Sequence, residues 1–244
     1  MTDPNRGDEQ AQPSASELVG AALGAAARRA GVDPAAEAST GHVVWGAMGG
    51  WRGILESVLP SLAFVVVYTA WQDLVLALLV SVGLAVVFTA ARLIGRSTPS
   101  AALGGLVATA AAAGLALWTG RAQDNFVWGF VTNGVYGSAL LVSALIGWPL
   151  IGLAAGFLLG EGTAWRTDRR KRRAYFWLTI AWAGLFAARL AVQLPLYFAA
   201  DITALGTLKI AMGLPLFAPM LAVTWLTVRA LHARPSAAAT APAE

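Results

Sequence analysis

The chain has 244 residues, of which 57% are hydrophobic and only 12% charged, and its formal net charge is +4. That mixture lies outside the range of soluble domains and needs a lipid solvent. The absence of cysteine excludes disulfides, thiolate catalysis, iron–sulfur clusters and cysteine-ligated zinc. The basic residues lie beside apolar spans and not along a soluble face interleaved with aromatics, which excludes nucleic acid as the expected partner.

Residues 1–45 are polar and rich in Ala and Pro, without the basic start and apolar core of a secretory signal. They hold too little apolar surface to offset ordering entropy and are expected to form a mostly disordered cytoplasmic tail. Within it Ser16 and Glu17 open an Ala-rich run that stops before Gly31, the pattern of a short capped helix over 16–30. Residues 46–232 are expected to be a six-helix transmembrane domain, and 233–244 a second disordered cytoplasmic tail.

Six apolar runs follow in order, at 54–70, 74–91, 101–118, about 128–148, 175–198 and 205–228. Each is close to the roughly 20 residues that cross a hydrocarbon core about 30 Å thick. Trp51 and Trp71 bracket the first, and Trp128 and Trp148 the fourth, as headgroup-level indoles do. The predicted fold class is an all-α, polytopic transmembrane helical bundle.

Basic connections at Arg92 and Arg96, and at Arg166, Arg169, Arg170, Lys171, Arg172 and Arg173, alternate with basic-poor ones near Asp73, Asp124 and Asp201, Arg121 excepted. The positive-inside rule then puts both termini in the cytoplasm, with six crossings of a bacterial plasma membrane. The run Arg169, Arg170, Lys171, Arg172, Arg173 reads as a topology anchor that could also meet anionic lipid.

The apolar stretch 128–160 is too long for one straight span and too short for two. Pro149 is its natural break. Gly152, Gly156 and Gly160 then recur at four-residue spacing, a small-residue face that admits another helix backbone. The segment reads as a short interfacial or packed half-helix, or alternatively as a re-entrant loop lining a pore.

Three separated motifs carry a likeness: GGWRGILESVLP at 49–60, FAARLAVQLPLYFA at 186–199 and LGTLKIAMGLPLF at 205–217. They resemble a bacterial integral membrane family known as domain of unknown function 3159, over about 49–229. The resemblance implies a fold of about six helices and no established activity. More distantly, a proline-led first helix, AWA at 181–183 and Lys209 near the start of the last helix resemble intracellular septation protein A. That likeness implies a role near envelope assembly or division.

Arg189 lies twelve residues beyond Trp177, about 18 Å along a helix axis, near the bilayer centre. A guanidinium is costly there and should face the bundle interior with a partner. Gln193 and Tyr197 follow at i+4 and i+8 on the same face. Lys209 stands about a turn inside the outer end of the sixth span, where it can snorkel to water or swing inward. Glu56, Asp73 and Asp201 are the candidate anions, and Asn133 could add a neutral amide.

Two readings of this polar set stay open. In one, Arg189 is neutralised by Glu56 or by carbonyls freed at Pro60 or Pro195, locking the bundle. In the other, Arg189 and Lys209 form a site that attracts a small anion. The corresponding functions are a non-enzymatic envelope scaffold that binds other membrane proteins, and, as the alternative, a small-solute or ion transporter or channel. An enzyme is disfavoured, since no acid/base pair is recognisable. No cofactor or metal is expected: His42 and His232 stand apart without ligating neighbours.

Overall fold

The computed structural model describes residues 50–94 and 99–232. Both expected tails, and the short helix expected at 16–30, lie outside the described residues. Every regular element among those described is helical. In chain order they are α1 (Gly50–Trp71), α2 (Leu74–Ile94), α3 (Pro99–Thr119), a 3₁₀ turn (Ala122–Phe126), α4 (Val127–Leu145), α5 (Leu150–Leu158), a second 3₁₀ turn (Ala164–Arg166), α6 (Arg169–Phe198), α7 (Ile202–Ala211) and α8 (Leu214–His232). By length and composition five segments can cross a membrane: Gly53–Trp71, Leu74–Ile94, Ala122–Leu145, Arg169–Phe198 and Ile202–His232. Leu103–Thr119 is a shorter apolar helix between the second and third of these. The molecule is a polytopic helical bundle.

Two short turns, α1–α2 and α6–α7, share one device. Gln72 and Ala200 adopt left-handed backbone, with φ of 52° and 55°, and each is followed by an aspartate that caps the next helix. Asp73 Oδ1 accepts from the Leu76 amide at 3.0 Å, and Asp201 Oδ1 accepts from the Ala204 amide at 2.9 Å. The left-handed residue reverses the chain and the carboxylate satisfies a free amide of the new helix. Consecutive helices therefore pack as antiparallel hairpins.

Packing organises around α6, which touches α4, α5, α7 and α8, while α1 packs on α2 and α7. One core joins Phe64 of α1, Leu78 of α2, Ala116 of α3, Phe126 of the first 3₁₀ turn and Leu205 of α7. Gly206 sits against Val65, where a Cβ would have no room, so α7 and α1 approach at backbone distance. Outward-facing Leu79, Val87 and Val107 are more than half exposed, as lipid-facing side chains are.

Two expectations need correction. The sixth span is not continuous: α7 ends at Ala211 and α8 begins at Leu214, with Gly213 between them. Pro215 explains the break, because it lacks an amide and clashes with the preceding turn, yet fits the first turn of a new helix. The Gly152/Gly156 face meets another helix at one position only: Gly152 lies against the Tyr175 Cβ of α6, whereas Gly156 faces Trp165 from the chain's own loop and the Gly162 carbonyl. Gly160, at φ 74°, is a turn residue with open space around it. At nine residues, α5 spans about 14 Å and cannot cross the bilayer; it is a packed half-helix against α6.

Candidate functional site

Polar residues on α1 recur at helical spacing. Glu56, Ser57, Pro60 and Ser61 share one face. On α2, Ser81, Thr89 and Arg92 do the same. These faces, with α3 and the first 3₁₀ turn, line a half-open cavity of about 420 Å³. A second cavity of about 240 Å³ lies beside it, between α1, α6, α7 and the start of α8. Ser57, Ser61 and Lys209 line both.

Arg189 opens onto the smaller cavity together with Lys209, Phe217 and Gly213. Its guanidinium carbon lies 5.2 Å from the centre of the Phe217 ring, and its buried Nε has no hydrogen-bond partner among the described residues. Lys209 Nζ lies 5.2 Å from the Phe126 ring. The α7–α8 break places two helix ends here. Lys209 is in the last turn of α7, where it faces that helix's carbonyl end, and Leu214 starts α8, whose amide end adds partial positive charge.

Glu56 is not the partner of Arg189. It pairs with Arg92 of α2, Oε2 to Nε at 3.1 Å, because the antiparallel α1–α2 hairpin brings the start of α1 beside the end of α2. Nor do Gln193 and Tyr197 continue a stripe into the cavity. Gln193 is buried with its Nε2 unpartnered among the described residues. Tyr197 donates to Asp124 Oδ1 at 2.6 Å, in a cluster at the first 3₁₀ turn where Arg121 Nε stands 3.9 Å from Asp124 Oδ2. Asn133 turns back on its own helix, donating to the Gly129 carbonyl at 2.7 Å. Of the predicted polar set, the structure brings Arg189 and Lys209 together, leaves Glu56 with Arg92 in the adjoining cavity, and sends the rest elsewhere.

Sequence reading missed the hydroxyls. Ser61, Ser81 and Thr89 line the larger cavity. Their signal was present as isolated serines and threonine at i+4 or i+8 spacing within apolar spans. Asp124 stands in the sequence as a loop marker, yet in the structure it is only 4% exposed.

On the side of α6 that begins with the basic run, Glu161 binds Lys171 Nζ at 2.9 Å and His232 Nε2 at 3.1 Å. His232 Nδ1 meets the Val228 carbonyl at 2.8 Å, which fixes the ring. This clasp ties the end of α8 to the loop before α6. Burial opposes charge on Glu161, but hydrogen bonds from Lys171 and His232 and their positive charge outweigh it and hold the carboxyl below its ordinary range. Lys171 is thereby withdrawn from the basic run, whereas Arg169, Arg170, Arg172 and Arg173 stay exposed. No group of His, Asp and Glu among the described residues is arranged to hold a metal ion.

A helical bundle with several apolar helices of membrane-crossing length, and two partly buried basic side chains lining one cavity, is that of a multi-pass membrane protein with a cationic pocket. The chain belongs to the family described as "Protein of unknown function (DUF3159)", whose model matches residues 48–235. Comparison with curated proteins gives no match, and comparison with solved structures gives none. The likeness to intracellular septation protein A is not shown by these comparisons.

Proposed function

We propose that this protein is a non-enzymatic, multi-pass plasma-membrane protein that binds a small anion and conducts it across the bilayer, with both termini in the cytoplasm. One observation carries the reading. Arg189 and Lys209 line one cavity between α1, α6, α7 and α8, are both partly buried, and make no ion pair among the described residues. Two cations in such a place cost several kcal/mol unless an anion or water offsets them. The break between α7 and α8 at this cavity is the kind of discontinuity from which solute sites in transporters are built.

The envelope scaffold, the leading expectation from sequence, rests on small-residue faces and the basic loop, and a dry Arg189 pair would favour it. Arg189 has no carboxylate partner among the described residues, and Trp165 occupies the glycine face, so the transport alternative is the better supported. Arg169, Arg170, Arg172 and Arg173 are the residues we assign to an anionic cytoplasmic leaflet.

The test is efflux from vesicles reconstituted with the purified protein and loaded with chloride, acetate or gluconate. The wild-type protein is expected to release at least one of them faster than protein-free vesicles do. Arg189→Leu should slow that release by about tenfold or more, equivalent to about 1.4 kcal/mol. Release no faster than from protein-free vesicles for all three anions would return the account to the scaffold.

A further inference from the structure

Resting on that reading of the site, we propose that its ligand is a small polyhydroxylated organic anion. The anionic group would lie between Arg189 and Lys209 and the hydroxyl-bearing body in the larger cavity. Size comes first. The cavity holding both cations is about 240 Å³, below the range of about 300–1,000 Å³ in which small-molecule pockets fall, whereas its 420 Å³ neighbour lies within that range. The smaller space suits an anionic group and little more; a complete organic ligand uses both, and they adjoin along Ser57, Ser61 and Lys209.

The larger cavity then decides the chemistry of the body. Ser81 and Thr89 are 4% and 8% exposed, line that cavity, and make no side-chain hydrogen bond among the described residues. Neither hydroxyl oxygen is among the fully buried atoms left without a partner, so each opens onto the cavity, where a group that fills the space has to replace its hydrogen bond to water. Ser61 adds a third hydroxyl without a side-chain bond among the described residues, whereas Ser57 already donates to the Ile54 carbonyl at 2.9 Å. An apolar ligand would strand these groups; one bearing several hydroxyls would satisfy them as both donors and acceptors.

Charge sets the direction in which the ligand lies. The larger cavity contains the carboxylate Glu56, paired with Arg92 at 3.1 Å. A second carboxylate or phosphate beside it would be repelled, while a hydroxyl would find an acceptor. Arg189 and Lys209, with no acidic residue among the side chains that line the smaller cavity, take the anionic end. Across the two cavities three basic side chains stand against one carboxylate, so the lining carries a formal excess of positive charge that a monoanion reduces without reversing.

Titration calorimetry on the purified full chain in uncharged detergent tests this with gluconate, hexanoate, glucose and chloride. Hexanoate keeps the carboxylate and chain length without hydroxyls, glucose keeps hydroxyls without charge, and chloride has charge alone. Gluconate is expected to bind at least about tenfold more tightly than hexanoate or chloride, a difference of about 1.4 kcal/mol, and glucose to give no binding heat. The double variant Ser81→Ala, Thr89→Val should bring gluconate to within about threefold of hexanoate, while Ser81→Thr, Thr89→Ser keeps the preference because the hydroxyls remain. If hexanoate or chloride binds as tightly as gluconate, or the hydroxyl-free variant keeps the full preference, the inference is overturned while the anion site stands. If no anion binds the wild-type protein, the anion reading falls with it.

Discussion

Arg189 presents an unusual stability problem. A leucine in its place would remove a cation that lacks a carboxylate partner among the described residues and would pack against Phe217. Without added anion, Arg189→Leu is therefore expected to raise the thermal stability of the detergent-solubilised protein by about 1 kcal/mol or more. Arg189→Lys should retain the charge but lose the planar fork that engages an anion from two directions, so anion affinity falls without vanishing. A double-mutant cycle separates the pairings around it. Arg189 with Glu56 should couple by less than about 0.5 kcal/mol, and Arg92 with Glu56 by clearly more, since only the latter two are bonded at 3.1 Å. Strong Arg189–Glu56 coupling would restore the locked bundle. From sequence, the depth of Arg189 followed from its distance to Trp177, but its partner did not. A helix register fixes which residues share a face, whereas Glu56 found Arg92 through a hairpin geometry that no single span encodes.

Among the elements, the short connections carry much of the architecture. Asp73 and Asp201 cap the helices that follow left-handed residues. Replacing Asp201 by Ala should cost about 1 kcal/mol of thermal stability and loosen α7 against α1. The clasp at the far end of α8 responds to pH. Glu161 is held below its ordinary value of 4.5, so its contribution is complete above the unfolded-state pKa and is lost as pH falls through the lower, folded value. Wild type should exceed Glu161→Gln in thermal stability near neutral pH by about 1 kcal/mol or less, with the gap closing in acid. A gap that widened in acid would contradict the assignment. Apolar length made five spans and the half-helix at α5 legible in the sequence. The break at Gly213 was harder to read: proline at 215 signals a bend, but the new helix can start before it only because its first turn needs no amide there.

At the level of the whole molecule, topology and cavity depend on each other. Reporter fusions near Arg172 are expected to lie in the cytoplasm, and those near Gln123 and Thr203 outside; an external Arg172 would invert the path along which an anion meets Arg189. The fold class was readable because a 57% hydrophobic chain has few alternatives. The site was only half readable, since cations stand out in apolar runs and hydroxyls do not, and the cavity that joins Ser81 and Thr89 to Lys209 exists only once α1, α2 and α7 have packed. An anion held in that cavity should stabilise the folded protein. The most direct measurement is thermal unfolding of wild type and Arg189→Leu across a gluconate titration, with chloride as control. Wild type is predicted to gain stability with concentration, reaching about 2.7 kcal/mol at a hundredfold excess over Kd, and Arg189→Leu to gain almost none. Equal gains in the two proteins, or none in either with both anions, would contradict it.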